Sequence, residues 1–289
     1  MQSPFFSVVI PTLNEEKALP NLLKDLHQQT FQHFEIHIVD GSSEDKTQQL
    51  ARTHTTKNVP QTLHLSKKRN VGTQRNVGAK HSMGKYILFL DADSRIPRYF
   101  LEGIHYQLVK KPQDIWTTWA KPDSDDPRDI IAIHAMNVFY EAGKSAGLPM
   151  AVGACLGCKK SVFAAIHGFD AEIRLGEDYD FVYRAVRHGY RFHIFRDPQF
   201  IYSYRRIRHQ GHLASLPRVL YSFQILKALL RNQKIIDPTI YPMLGGSFFT
   251  KKKTPTKISY MLTKRAKTFQ KLLEKNKILF ERALNDLFG

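Results

Sequence analysis

The sequence predicts an α/β protein with a doubly wound, mostly parallel sheet and a helical C-terminal extension. Apolar runs such as Ser7-Val-Val-Ile10 and Tyr86-Ile-Leu-Phe-Leu90 carry no charge and read as strands buried on both faces. Helical patterns alternate with them, the order that builds a parallel sheet. Basic charge gathers at one end: Pro198–Gly289 holds 18 Lys and Arg against 4 Asp and Glu, and the first 197 residues hold 25 against 22. With 289 residues, 42% hydrophobic and 11% aromatic, the chain can bury one large core, or one α/β domain with an appendage.

The elements follow in order. Ser7–Ile10 ends at Pro11, and Asn14 can cap a helix whose first turn holds Glu15 and Glu16. Leu19, Leu22, Leu23 and Leu26 then share one apolar face. Phe34–Val39 alternates as a strand and stops at Asp40-Gly41; Ser42 or Ser43 caps a second helix, and Leu63–Leu65 is a weak third strand. Asn70–Met83 reads as a helix weakened by Gly72 and Gly78, and it leads into the strand before Asp91. From Arg95 to Asp197 the pattern is less regular. Lys121–Arg128 is a polar, Pro-flanked loop, Ile130–Gly143 is helical, and Gly143–Gly157 is loop plus strand. Glu177–Gly189 is a helix with Phe181, Ala185 and Val186 on one face and Gly189 at its C-terminal end.

In the extension, Ser215 and Pro217 open a stretch carrying Leu220, Phe223, Leu226 and Leu230. A second stripe, from Leu262 to Leu287, is flanked by Lys264, Lys267, Lys271, Lys275 and Arg282. Packing on the body and association with an anionic lipid surface both fit these stripes. The longest charge-free run, Ser145–Cys158, is shorter than the ~18 residues a membrane span needs and contains Gly and Pro. Met1-Gln-Ser-Pro lacks the basic start of a signal peptide, so a cytoplasmic location is expected. Cys155 and Cys158 are half a zinc site with no second pair, and they read as small buried residues.

Asp91-Ala92-Asp93 carries the most chemistry. Charges do not continue a buried strand, so both carboxylates emerge at its carboxyl end, the edge where open α/β sheets bind ligands. Hard oxygens there suit Mg²⁺ or Mn²⁺ carrying a diphosphate, although alone the pair equally makes a plain turn closing a strand. Pro11–Glu15 and Asp40 end the first two strands side by side, where a nucleobase finds acceptors and backbone groups; capping and turn chemistry also explain Asn14 and Asp40. Arg75 offers a guanidinium to a diphosphate, with Arg69 and Lys80 as substitutes. Glu177 and Asp178 open a helix, which by itself stabilises that helix.

Four blocks occur in order: Val9-Ile-Pro-Thr-Leu-Asn-Glu15, Val39-Asp-Gly-Ser-Ser43, Gln74-Arg-Asn-Val-Gly78 with Leu90-Asp-Ala-Asp93, and Gly176-Glu-Asp178. Together they resemble the family 2 glycosyltransferases, which have the GT-A fold, from about Phe6 to His212. The resemblance implies that Thr12, Asn14 or Glu15, and Asp40 hold the nucleoside of a nucleotide-sugar in a donor site that includes Pro11, with Arg75 and Asn76 at its diphosphate. It implies that Asp93 binds a divalent cation, Mn²⁺ or Mg²⁺, that Asp91 contacts the ribose or the metal through water, and that Ala92 between them belongs to the donor site. His209 or His212 competes for a further place on the metal. Asp178 is implied as the general base and Glu177 as the group that orients the acceptor.

The activity so implied is inverting transfer of a single sugar, because the Gln-x-x-Arg-Trp motif of processive synthases does not follow Arg205. The expected partners are a nucleoside-diphosphate sugar and an acceptor hydroxyl, lipid-linked or on a cell-envelope polysaccharide, with peripheral contact to an anionic membrane face. Residues 1–95 are then the nucleotide-sugar half, 96–212 the acceptor half and 213–289 the basic extension. A nucleotidyltransferase acting on a sugar phosphate wants a Gly-rich basic loop after the first strand, where this chain has Pro-Thr-Leu-Asn-Glu. A nucleic-acid-binding protein is disfavoured because no aromatic-interleaved basic motif or zinc finger accompanies the charge.

Overall fold

Side-chain alternation sets the layers. In β1 (Phe6–Thr12), Val8 and Ile10 face one core and Val9 faces another, so this strand is covered on both sides. The computed structural model describes residues 3–173, 175–205, 208 and 246. After β1 come α1 (Leu19–His27), β2 (Phe34–Asp40), α2 (Thr47–Thr53), β3 (Gln61–Leu65), α3 (Val71–His81) and β4 (Tyr86–Leu90). The second half adds α4 (Phe100–Lys110), β5 (Ile115–Pro122), α5 (Pro127–Ser145), β6 (Cys155–Lys159), α6 (Lys160–Ala165), α7 (Glu177–Arg187) and β7 (Phe192–Tyr202). These strands form one sheet in the order β3-β2-β1-β4-β6-β5-β7. All neighbours pair parallel except that β6 runs antiparallel to both β4 and β5.

Leu19, Leu22, Leu23 and Leu26 are fully buried against the Val8–Ile10 side, as their spacing predicts. Each buried leucine contributes about 1.5–3 kcal/mol. On the other side, Val9, Val39, Ile87 and Phe89 pack with Ala79 of α3 and with Phe181 and Val182 of α7. Gly78 makes this approach possible, since a Cβ there would lie 2.3 Å from Val9 Cγ1. It lets α3 lie against the sheet and places Arg75, one turn earlier, over the strand ends.

Several expectations about local structure change. Asn14 does not cap α1, which starts at Leu19; Asn14 sits at φ 55°, a left-handed position asparagine tolerates, and its Oδ1 accepts from the Glu44 N–H at 2.7 Å. Neither Ser42 nor Ser43 caps α2, where Asp45 instead accepts from the Thr47 N–H. Asn70 caps α3, accepting from Thr73 N–H at 2.8 Å. The irregular middle contains α4, β5 and β7, and the Lys121–Arg128 loop is shorter than expected because β5 runs to Pro122 and α5 starts at Pro127. Cys155 and Cys158 are free, buried residues of β6, and burial raises both thiols, Cys155 to about 12. No helix among the described residues is long and apolar enough to cross a membrane. The two stripes expected in the extension lie outside the described residues.

Candidate active site

Parallel register brings the first two blocks together. Thr12 and Asp40 are register partners on β1 and β2, and Asp91 follows β4 on the other side of β1. Thr12, Asp40 and Glu15 are buried. The Asp40 carboxylate accepts from the Ser43 N–H (2.8 Å), the Ser43 hydroxyl (2.5 Å), Gln48 Nε2 (2.8 Å) and the Thr12 hydroxyl (3.1 Å). It thereby fixes the loop after β2 against the loop after β1, where the Asn14 N–H donates to Ser43 Oγ at 2.8 Å. Pro11 sits within β1, opposite Val39.

At the end of β4 the chain turns so that Ala92 enters the core at 3% exposure. The side chains of Asp91 and Asp93 stay 36% and 21% exposed. Asp91 Oδ1 accepts from Arg75 Nη2 at 2.9 Å, and Asp93 Oδ2 from Arg205 Nε at 2.9 Å. Among the described residues the other oxygen of each takes no hydrogen bond, and no group of three or more His, Cys, Asp or Glu is arranged to hold a metal. Two hard oxygen donors nevertheless fit a divalent cation whose remaining ligands are diphosphate oxygens and water. His209 and His212, expected near this metal, lie outside the described residues.

Arg75 ties the cluster together. The sequence places it beside the diphosphate; in the fold its side chain is 2% exposed and bridges two carboxylates. Nη1 donates to Glu177 Oε1 (2.9 Å), and Nη2 to Asp91 Oδ1 and to the Gly153 carbonyl (3.0 Å). The Asp-x-Asp turn and the start of α7 are therefore joined through one guanidinium. A side chain at Gly153 would displace both groups: a Cβ would sit 2.8 Å from Arg75 Nη2 and 3.0 Å from Asp178 Oδ2. Asn76, also expected at the diphosphate, turns elsewhere. Its Nδ2 donates to the Phe169 carbonyl at 2.8 Å and its Oδ1 accepts from the Phe169 N–H at 2.9 Å, so its amide holds the loop ahead of α7.

Asp178 accepts from the Gly153 N–H at 2.7 Å and from its neighbour Tyr179 N–H at 2.9 Å. Burial of the carboxyl group, then the charge of Glu177, push its pKa up to about 7 against the opposing pull of Arg75. A carboxyl group so poised can accept a proton near neutral pH. Beside it, the Tyr140 and Tyr179 hydroxyls lie 3.0 Å apart, joining α5 to α7.

Sequence reading missed three residues here. Gly153 was one glycine in a Gly/Ala-rich stretch. Arg205 belongs to the basic run Arg205-Arg206-Ile207-Arg208, which the resemblance implies as a clamp on the diphosphate, but its carboxylate partners were not foreseen: it donates from Nη2 to both oxygens of Glu15, at 2.8 and 2.7 Å, as well as from Nε to Asp93. Gly246 donates its N–H to the Leu13 carbonyl at 2.8 Å.

Comparison with known proteins gives the family and the fold. The profile of the family described as "Glycosyl transferase family 2" matches residues 7–166, more than half of the chain. A relative from Methanococcus voltae is 25% identical over 214 residues, 65% of this chain and 64% of its own. Its name is dolichyl N-acetyl-alpha-D-glucosaminyl phosphate 3-beta-D-2,3-diacetamido-2,3-dideoxy-beta-D-glucuronosyltransferase. The chain spans less than two thirds of the length of the curated relatives it matches. Two solved structures share the fold. The mannosyltransferase PcManGT from Pyrobaculum calidifontis, in complex with GDP-Man and Mn²⁺, has a TM-score of 0.64 and 20% identity, covering 84% of this chain and 69% of its own. Staphylococcus aureus TarS 1–349, in complex with UDP-GlcNAc, has a TM-score of 0.56 and 21% identity, covering 68% and 58%. A doubly wound sheet with the four blocks at its strand and helix ends, matched by the family profile over most of that sheet, makes this chain a member of the family 2 glycosyltransferases, with the GT-A fold.

Proposed function

We propose that this glycosyltransferase moves a single sugar from a nucleoside-diphosphate sugar to an acceptor hydroxyl with inversion, and that Asp178 is its general base. The observation that supports this reading is the Arg75 bridge, which joins Glu177, the neighbour of Asp178, to the Asp91-Ala92-Asp93 turn, beside a carboxyl group whose pKa burial raises to about 7. Asp178 takes the acceptor's hydroxyl proton as that oxygen bonds to the anomeric carbon. The bond from that carbon to the diphosphate oxygen breaks, and its electron pair leaves with the nucleoside diphosphate. Attack from the face opposite the leaving group inverts the centre. Glu177 and Gly153 hold Arg75 and Asp178 in place for this step.

Pro11, Thr12 and Asn14 line the nucleoside side of the crevice, with Asp40 acting through the Ser43 and Gln48 contacts it orders. Asp93 and Asp91 would hold a divalent cation, which supplies positive charge for the departing diphosphate. PcManGT, with GDP-Man and Mn²⁺, and TarS, with UDP-GlcNAc, support the donor class. A lipid-linked acceptor is supported by the Methanococcus voltae relative's name and by the basic extension, whose charge suits an anionic membrane face.

A thermal-shift panel of UDP, GDP and other nucleoside diphosphates, with and without Mn²⁺, tests the donor reading. A ligand at 100 times its Kd adds about 2.7 kcal/mol of apparent stability. One nucleotide is expected to raise the Tm in a Mn²⁺-dependent way that Asp93→Ala abolishes. Equal shifts with and without Mn²⁺ overturn the metal role, and no shift with any nucleotide overturns the donor role.

A further inference from the structure

Two carboxylates from different strand ends converge on one guanidinium. Arg205 Nη2 lies 2.8 and 2.7 Å from the two oxygens of Glu15, and Nε lies 2.9 Å from Asp93 Oδ2. Glu15 and Arg205 are separated by 190 residues, so this contact is made by the fold rather than by local chain geometry. The side chain of Glu15 is only 8% exposed and that of Arg205 22%. A buried carboxylate needs a partner, and a guanidinium fork is the side chain best shaped to serve two. Asp91 and Glu177, by contrast, already share Arg75. The Glu15–Asp93 side of the crevice therefore carries its own neutralising charge.

The chain beyond Arg205 meets the same loop again. Gly246 donates its N–H to the Leu13 carbonyl at 2.8 Å, and a Cβ at Gly246 would lie 1.6 Å from the Asn14 carbonyl oxygen. The loop that carries Glu15 is thus held at its backbone by Gly246 and at its side chain by Arg205.

A cation arriving at Asp93 finds one oxygen engaged and a fixed positive charge beside it. Even at the oxygen that Arg205 leaves open, it must bear the repulsion of that charge in a site of reduced polarity. A diphosphate changes the balance, because its negative charge lets the guanidinium and the metal occupy the crevice together. We propose that Arg205 is a built-in counter-cation for Glu15 and Asp93, which keeps divalent-cation affinity low in the nucleotide-free protein and makes cation uptake depend on the nucleoside diphosphate. This rests on the proposed donor site, and it assigns Arg205 a positioning role that sets the order of ligand entry.

The test is Mn²⁺ binding to the full chain, read by the electron paramagnetic resonance of free Mn²⁺, with no nucleotide and then with UDP or GDP. Wild type is expected to bind Mn²⁺ weakly alone and at least tenfold more tightly with the nucleotide. Arg205→Gln, shown folded by its thermal melt, is expected to bind Mn²⁺ alone at least tenfold more tightly than wild type, narrowing the gap between the two conditions. Arg205→Lys keeps the charge but loses the fork, so its nucleotide-free affinity rises by less; it serves as the test if the Gln variant does not fold. Nucleotide-free Mn²⁺ affinity that does not rise in the folded variants overturns the proposal. Should neither nucleotide bind wild type, the donor reading fails, and the nucleotide-free comparison of wild type with Arg205→Gln still decides whether Arg205 competes with the cation.

Discussion

Replacing Arg75 by Met keeps the length of the side chain and removes the charge that joins the two halves of the site. Glu177, whose side chain is 12% exposed, loses the partner of its Oε1 and stays in the interior. Asp91, at 36%, can turn to water and contributes little to the loss. Removing one partner of a buried pair costs about 3–5 kcal/mol, and the exposure of Asp91 puts this case near 3. For a body of this size, 3 kcal/mol lowers Tm by about 6–12 °C. The second consequence is electrostatic. Arg75 pulls the Asp178 pKa down from where burial and Glu177 push it, so its removal raises that pKa above its value of about 7. The base is active when ionised, so the rising limb of the kcat/KM profile moves to higher pH. Arg75→Lys retains the charge but cannot span Asp91, Glu177 and the Gly153 carbonyl together; it should recover much of the pH profile and less of the stability. Thermal melts and a pH–rate series on the three proteins measure both effects. A Met variant melting within 2 °C of wild type, with its limb unmoved, refutes the bridge as the organising contact.

Three further outcomes follow from other parts of the molecule. In Glu35, burial raises the pKa, but His37, whose Nε2 lies 3.3 Å away, and hydrogen bonds from the Ser7 hydroxyl and the Met83 N–H outweigh it and bring it down from 4.5 to about 2. A depressed acid stabilises the fold above its unfolded pKa and loses that contribution as pH falls through the folded value. Glu35→Gln should therefore cost up to about 3 kcal/mol at neutral pH, and its melting curve should converge on wild type between pH 4.5 and 2; a constant gap contradicts this. Gly153→Ala places a Cβ 2.8 Å from Arg75 Nη2, and the resulting displacement of Asp178 should lower turnover about 100-fold with donor binding retained; near-normal turnover contradicts the packing. The basic extension is expected to sediment the protein with anionic but not neutral vesicles, and to release it as salt rises, since each Lys or Arg near the surface is worth about 1 kcal/mol. No sedimentation with either, together with resistance of residues 213–289 to proteolysis, would make the extension a cap on the catalytic body instead.

The parallel half of the sheet was legible because strands covered on both faces become unbroken apolar runs, as in Tyr86–Leu90, all of it buried. The acidic pairs were legible for the complementary reason, since charges following such a run must emerge at its end. β7 was hidden by Arg196, Asp197 and Pro198 inside it, whereas β6 was read only as an unplaced strand after a Gly/Ala-rich loop, because Cys-Leu-Gly-Cys lacks β-branched residues to mark its bounds. The cations were legible only as charges. A guanidinium on a helix reads as solvent-facing, and Arg75 is buried because the fold brings Gly153 to it from 78 residues away. Asn76 matched a motif by type and place, yet its partner, the Phe169 backbone, lies 93 residues further on. Periodicity says nothing about contacts over such distances.

The central claim, that Asp178 removes the acceptor's proton in a donor site that stands without it, is tested most directly by Asp178→Asn. The amide fills nearly the same volume but cannot take the proton. With the donor nucleotide from the binding panel, its sugar conjugate and a competent acceptor, single-turnover transfer should fall by about 10²–10⁴-fold, roughly 3–5 kcal/mol of barrier. Mn²⁺-dependent nucleotide affinity should stay within a few-fold of wild type, and the wild-type rate should rise with pH through about 7 while the variant's residual rate is flat. A variant retaining more than half of the wild-type rate, with the same limb near 7, would contradict the account and move the base elsewhere, Glu177 first.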